Sequence, residues 1–136
     1  MEPYRKGLRP PPLLGLPSYS FSVIEVTEEY LKKKHKTVQK FVNAMVAAEK
    51  WIASHSIDEL VGVVSPYFSG TGKDILKIAL ENDREAFSKD GLVTREGHNT
   101  ALKVFMDAGI IEQNVAFEDI VDNSFSQRAL KVSKKQ

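Results

Sequence analysis

The sequence contains no cysteine, which excludes disulfides, thiolate nucleophiles and every cysteine-ligated zinc or iron–sulfur centre. Long apolar runs are also missing. The longest uninterrupted ones span a few residues, as at Ala44–Ala48, well short of the ~20 needed to cross a bilayer as a helix. The opening Met1-Glu2-Pro3-Tyr4-Arg5-Lys6-Gly7-Leu8-Arg9-Pro10 has no apolar core of the length a signal peptide requires. The expectation for the chain as written is therefore a soluble, unexported and hence cytoplasmic protein. Neither charge is in excess. There are 19 Lys and Arg against 18 Asp and Glu, a net charge of +1, so no global basic field is available to a phosphate backbone. Nucleic acid is accordingly not an expected partner.

What is present describes a globular chain. A length of 136 residues suits one domain, and 42% hydrophobic with 27% charged residues argues against global disorder and against a coiled-coil rod. Residues 1–17 stand apart in composition. Pro10-Pro11-Pro12-Leu13-Leu14-Gly15-Leu16-Pro17 cannot propagate a helix, because proline lacks the amide donor and restricts its predecessor. It reads as a loop and an extended connector. Tyr19-Ser20-Phe21-Ser22-Val23-Ile24-Glu25-Val26 follows, alternating and rich in β-formers, and is the one good strand candidate. A strand must pair to satisfy its backbone, and no second strand of this quality follows.

From Thr27 onward the chain reads as helices. Thr27 is an N-cap with Glu28 and Glu29 in the first turn, and Lys32–Lys36 marks that helix's end. A second helix starts near Thr37, with an apolar face of Val38, Phe41, Val42, Met45 and Ile52. Ser56-Ile57-Asp58-Glu59 is a capping box opening a short helix that Ser65-Pro66 closes. Asp74 to about Arg84 is helical, and Asp90-Gly91 turns the chain. Thr94 caps a helix with the stripe Ala101, Leu102, Phe105 and Ala108. Gly109 is its left-handed C′ residue, on which Ile110 can fold back. A last helix covers Asn123–Leu130, and residues 131–136 form a frayed tail.

Few residues invite chemistry. Gly70-Thr71-Gly72-Lys73 suggests a phosphate loop, but Tyr67 stands where the motif needs its first glycine and Asp74 where it needs Ser or Thr. An interhelical turn is the better reading. His35, His55 and His98 lie at or near helix ends with no metal-ligand spacing, and read as capping or solvated side chains. Glu118, Asp119 and Asp122 suit first-turn acids and an N-cap better than a catalytic pair. The Lys32–Lys36 run reads as a solvated helix end, and Trp51 as helix packing. No catalytic residue, metal site or cofactor is expected.

Several passages carry a family likeness. Ser22–Leu31 resembles a strand followed by a "T-E-E-[FY]-L" helix start, and Val38–Ala53 a long alanine-rich helix ending in "W-I". Asp90–Gly97 resembles "D-G-L-V-T-x-E-G". Asp107–Ile111 and Phe117–Phe125 resemble two further landmarks, and Glu2-Pro3-Tyr4 an "E-P-Y" loop. In this order they are similar to the C-terminal part of ABC-transporter solute-binding proteins of the nitrate/sulfonate/taurine/thiamine-precursor group. The resemblance implies a mainly α chain with one or two strands. It would be the C-terminal fragment of a two-lobed α/β periplasmic-binding-protein-like (type II) fold, with residues 18–130 forming that part.

It further implies a non-enzymatic role in importing a small solute, with an ABC permease as partner through the intact parent and a periplasmic or extracytoplasmic setting. Glu2 and Tyr4 are the two ligand-contacting residues it carries over. The competing expectation is a free-standing helical interaction module. An enzyme of pyrimidine-precursor synthesis ranks last, since the histidine-rich features it would need are absent.

Overall fold

The structure, a computed structural model, describes residues 22–133. It is mainly α, as expected. Six α-helices follow in chain order: α1 (Glu28–Ser54), α2 (Ile57–Val64), α3 (Lys73–Asp83), α4 (Arg95–Asp107), α5 (Phe117–Ile120) and α6 (Ser124–Ser133). Short 3-10 turns at Ser65–Tyr67 and Arg84–Ala86 extend α2 and α3. The described residues contain no strand. Of the strand expected at Tyr19–Val26, Tyr19–Phe21 lie outside the described residues, and Ser22–Val26 runs exposed with no ladder. β-rich composition supplies only a propensity; a strand exists where a second chain segment pairs with it. The connector at residues 1–17 also lies outside the described residues. Helix α6 continues three residues past the expected end at Leu130.

Two compact units divide the chain. One takes Val26–Leu92 with residues 123–133, the other Val93–Asp122 with residues 22–25.

In the first unit, α1 pairs with α6, and α2 with α3. Thr27 caps α1 by accepting from the Tyr30 N–H at 3.2 Å. The helical run is interrupted within Lys32–Lys36, as expected: two helical stretches meet there. The two follow one another with a kink at Lys34, whose φ and ψ of −127° and 29° leave the helical region, and are counted together as the 27-residue α1. The kink falls where local support ends. Lys32 and Lys33 each pair with a glutamate one turn back, at 3.1 and 2.6 Å. Lys34, His35 and Lys36 have Tyr30, Leu31 and Lys32 at that spacing, and the last of these pairs sets like charges together.

The buried face of α1 also differs from the expected stripe. Val38 is buried, and Val42 and Ile52 are half-buried, but Phe41 and Met45 remain 47% and 38% exposed. Val46, outside the stripe, is the most buried residue of the helix at 1% exposure. Helix α6 decides this, because it lies against the side of α1 that carries Gln39. The Gln39 Nε2 donates to the Phe125 carbonyl at 2.9 Å, and the Gln39 Oε1 accepts from Arg128 Nε at 2.5 Å. Phe125 and Ala129 are buried in that pairing.

The capping box at Ser56 is formed. The Ser56 hydroxyl accepts from the Glu59 N–H at 3.3 Å, and the Glu59 carboxylate accepts from the Ser56 N–H at 2.8 Å. Leu60 and Val61 of α2 and Leu76 of α3 are buried. Lys77 pairs with Asp58 at 2.7 Å on the exposed edge of these two helices.

In the second unit, Thr94 caps α4 by accepting from the Gly97 N–H at 3.0 Å. Gly109 at φ 69° closes it. The Gly109 N–H bonds Met106 O at 3.0 Å and the Ile110 N–H bonds Phe105 O at 2.9 Å, the paired bonds of a Schellman motif. Ile110 itself stays 67% exposed, so the expected fold-back of its side chain does not occur. The stripe shifts here as well. Ala101 and Leu102 are half-buried and Phe105 is exposed, while Gly97 and His98 are buried.

Gly91 joins a turn to α1. Its φ is +67°, and a Cβ there would sit 3.0 Å from Val46 Cγ2 and 3.3 Å from Glu49 Oε2. Gly91→Ala is expected to lower unfolding free energy by about 1–3 kcal/mol, read by urea denaturation, because it adds backbone strain to a clash with a buried valine.

Candidate functional site

A concave surface lies in the first unit, where the C-terminal half of α1 meets the segment after α3. It is a shallow pocket of about 260 Å³ whose walls include Glu49, Ile52, Ala53, Arg84, Phe87 and Lys89. Two arrangements shape it. Arg84, at the end of α3, donates from Nη2 to the carbonyls of Ala53 and His55, both at 2.8 Å. These carbonyls are among those the end of a helix leaves without an intrahelical donor. The last turn of α1 carries no basic residue of its own, so Arg84 also supplies the positive charge that the helix C-terminus favours. On the other side, the Ser88 hydroxyl accepts from the Asp90 and Gly91 N–H groups at 3.3 and 2.8 Å. The Asp90 carboxylate accepts from the Leu92 N–H at 2.9 Å.

Glu49 lies between these arrangements. Its Oε2 is buried without a hydrogen-bond partner. Burial foremost, then the nearby charge of Asp90, raises its pKa above the ordinary carboxylate value. The pocket thus combines a reluctant carboxylate, an apolar wall and a cation committed to backbone carbonyls. It holds no serine–histidine or other activated nucleophile pair. Among the described residues, no group of three His, Asp or Glu side chains is placed to hold a metal ion. A second shallow depression is lined by Thr27, Glu29, Tyr30, Lys33 and Lys34 at the start of α1.

The sequence candidates fall elsewhere. Glu2 and Tyr4 lie outside the described residues. Gly70-Thr71-Gly72-Lys73 is the exposed turn between α2 and α3, with Gly70 at φ 107° and no side-chain cap on α3. His55 is the C-cap of α1. Its backbone N–H and its Nδ1 both reach Trp51 O, at 3.0 and 2.8 Å, and its ring stacks on Trp51 at 4.3 Å. His35 lies just past the kink, 4.8 Å from the Phe125 ring.

His98 differs from the solvated side chain expected. It is buried, its Nε2 donates to Val115 O at 2.9 Å, and its ring meets Phe117 edge-on at 5.6 Å. Glu118 and Asp119 do occupy the first turn of α5. Glu118 is ion-paired with Arg95, whose hydrogen bond holds its carboxyl below the usual range, and the Arg95 guanidinium lies over Phe117 at 4.7 Å. Sequence reasoning missed Glu49 and Arg84. Each is a single charged residue on an ordinary amphipathic helix, and only a partner about 30 residues away distinguishes Arg84.

Comparison with known proteins gives one weak relation. The chain is 19% identical over 110 residues to a Bacillus subtilis (strain 168) protein described as "Putative binding protein YtlA". The match covers 79% of this chain and 33% of that protein, so the chain spans about a third of the length of the curated relative it matches. No family model matches, and no solved structure matches. Among the described residues, no helix is long and apolar enough to cross a membrane.

Two outcomes follow from the pocket. Arg84→Ala is expected to cost about 1–3 kcal/mol in urea unfolding, since it leaves two helix-end carbonyls without their charged donor. Glu49 has a folded pKa above its unfolded value, so the folded state favours the protonated form. Its contribution is fully present below the unfolded value and is lost as pH rises through the folded one. Glu49→Gln should therefore raise the melting temperature at pH 7. That advantage should shrink towards zero as the pH is lowered below the ordinary carboxylate range.

Proposed function

We propose that the chain forms the C-terminal, mainly helical part of the solute-binding component of an ABC importer. The intact protein would clamp a small solute such as nitrate, a sulfonate, taurine or a thiamine precursor between two lobes and pass it to a permease. In this reading residues 18–130 form that C-terminal part, its helices from Thr27 onward are scaffold, and Glu2 and Tyr4 lie in the loop that touches the solute. The ordered set of passages from Ser22 to Phe125 supports it, and so does the similarity to a protein described as a binding protein.

One structural observation carries most weight. Large apolar side chains are exposed along successive helices, including Phe41 and Met45 on α1, Val63 on α2, Ile75 and Ile78 on α3, and Phe105 and Met106 on α4. Single exposed apolar residues are ordinary, but a series of this kind suits burial against further protein. A larger two-lobed body would cover them. The same faces favour the second reading, a helical interaction module that presents them to a separate protein.

Calorimetric titration of residues 1–136 with nitrate, alkanesulfonates, taurine and pyrimidine precursors tests the scaffold assignment. No saturable heat is expected. Micromolar binding would place a complete cleft within these residues and overturn the assignment. A chimera in which this chain replaces the matched third of the Bacillus protein separates the two readings. Cooperative, single-transition unfolding supports the two-lobed body, and independent melting of the transplanted part supports the module.

A further inference from the structure

The net charge of +1 conceals two opposite balances. Helices α1 and α6 together carry eight Lys or Arg against three Glu, a net of +5. Residues 55–123 carry six Lys or Arg against thirteen Asp or Glu, a net of −7. The pairing of α1 with α6 therefore gathers the unbalanced positive charge of the described residues in one place.

On α1 that charge forms a strip. Beyond the kink at Lys34, Lys36, Lys40 and Lys50 fall within ~80° of one another along ~21 Å of helix, at 3.6 residues per turn. Asn43, Ala47 and Ser54 share the strip. Gln39 joins it to α6: its Nε2 donates to Asn43 Oδ1 at 2.8 Å, and its Oε1 accepts from Arg128 Nε at 2.5 Å. Lys131 lies one turn further along α6, on the side of Arg128. Lys36, Lys40 and Lys131 are exposed, and Lys50 is half-buried. Among the described residues, the ion-paired lysines are Lys32, Lys33, Lys77, Lys89 and Lys103, so these four are not among them. The carboxylate of α1 beyond the kink is Glu49, whose Oε2 is buried beside Gly91.

We propose that this strip is a docking surface for an anionic lipid bilayer, with the unmatched ammonium groups set among its headgroups. The charge requires an anionic partner, and the residue types select a bilayer. Four of the five groups are lysines, compact point charges on flexible stems, without the planar fork that holds a phosphate in fixed register. The guanidinium of Arg128 is already engaged by Gln39 and the Phe125 ring. Such groups suit a fluid array of headgroups. Asn43, Ala47 and Ser54 offer no ring on which a base could stack, and the Trp51 ring at the edge of the strip is already stacked on His55. Binding of this kind is weak and salt-sensitive, because each lysine near an anionic surface changes affinity about fivefold and its reach is one Debye length. The assignment stands whether or not the import reading holds.

Co-sedimentation of the full chain with phosphatidylcholine vesicles, with and without one third phosphatidylserine, tests it. Binding is expected to the anionic vesicles alone, and is expected to disappear as sodium chloride is raised from ~50 to ~500 mM. Lys36→Gln combined with Lys40→Gln should weaken it about twentyfold. Lys73→Gln combined with Lys103→Gln removes the same formal charge from α3 and α4, and should leave affinity within about twofold, with circular dichroism checking that both variants are folded. No binding at low salt overturns the proposal, as does equal binding to neutral vesicles or an equal loss in the two double variants. A short DNA duplex that displaces the chain from anionic vesicles at equal phosphate concentration also overturns it, by assigning the strip to nucleic acid.

Discussion

Phe125 is the point on which the larger unit closes. Its ring lies 4.8 Å from the His35 ring on one helix and 4.5 Å from the Arg128 guanidinium on its own. Its carbonyl is bound by Gln39, whose other amide atom accepts from Arg128. Helix α6 has ten residues, too few to be stable alone in water. It persists because burial of a phenylalanine, worth roughly 1.5–3 kcal/mol, is joined to a satisfied polar network. Once it is seated, the buried Ser126 hydroxyl donates to Gly91 O at 2.8 Å. That bond holds the Ser88–Gly91 turn against Val46 and Glu49. The turn, the pocket and the burial of Glu49 all follow from one aromatic contact between the two ends of the unit.

The chemistry of the described residues is that of support. Several carboxylates are ion-paired or capping, and the Glu49 Oε2 is buried without a hydrogen-bond partner. Histidines serve backbone carbonyls or aromatic rings. On α1, Lys32 and Lys33 are matched by glutamates one turn back. Several large apolar side chains of its helices stay exposed, Phe41, Met45, Val63, Ile75 and Ile78 among them.

Local devices were legible in the sequence. Thr27, Ser56 with Glu59, Thr94, Gly91 and Gly109 each act within a few residues of themselves, so their chemistry determines their geometry without help from the fold. The burial of α1 was not legible. Phe41 and Met45 outrank Gln39 and Asn43 in apolarity, yet the helix turns the latter side towards α6, which lies more than 80 residues away in sequence. The Lys32–Lys36 run signalled the discontinuity that the structure has at Lys34. A strand at Tyr19–Val26 was read from composition, which cannot report whether a pairing edge exists. Of the candidate site, nothing in the sequence singled out Glu49 or Arg84, because their significance is wholly in distant partners.

Arg84 has a further consequence for cooperativity. A helix usually carries its own stop signal, so its end can fray without disturbing its neighbours. Here the last carbonyls of α1 are held by a side chain that exists in place only when α3 has formed. The length of α1 is thus set from outside it. Opening of α3 would free the Ala53 and His55 carbonyls in the same event, so the very end of α1 would share the exchange behaviour of α3, while the Trp51 carbonyl stays held by His55. The boundary of cooperative unfolding in this unit would then cut across α1, separating one helix into two energetic territories.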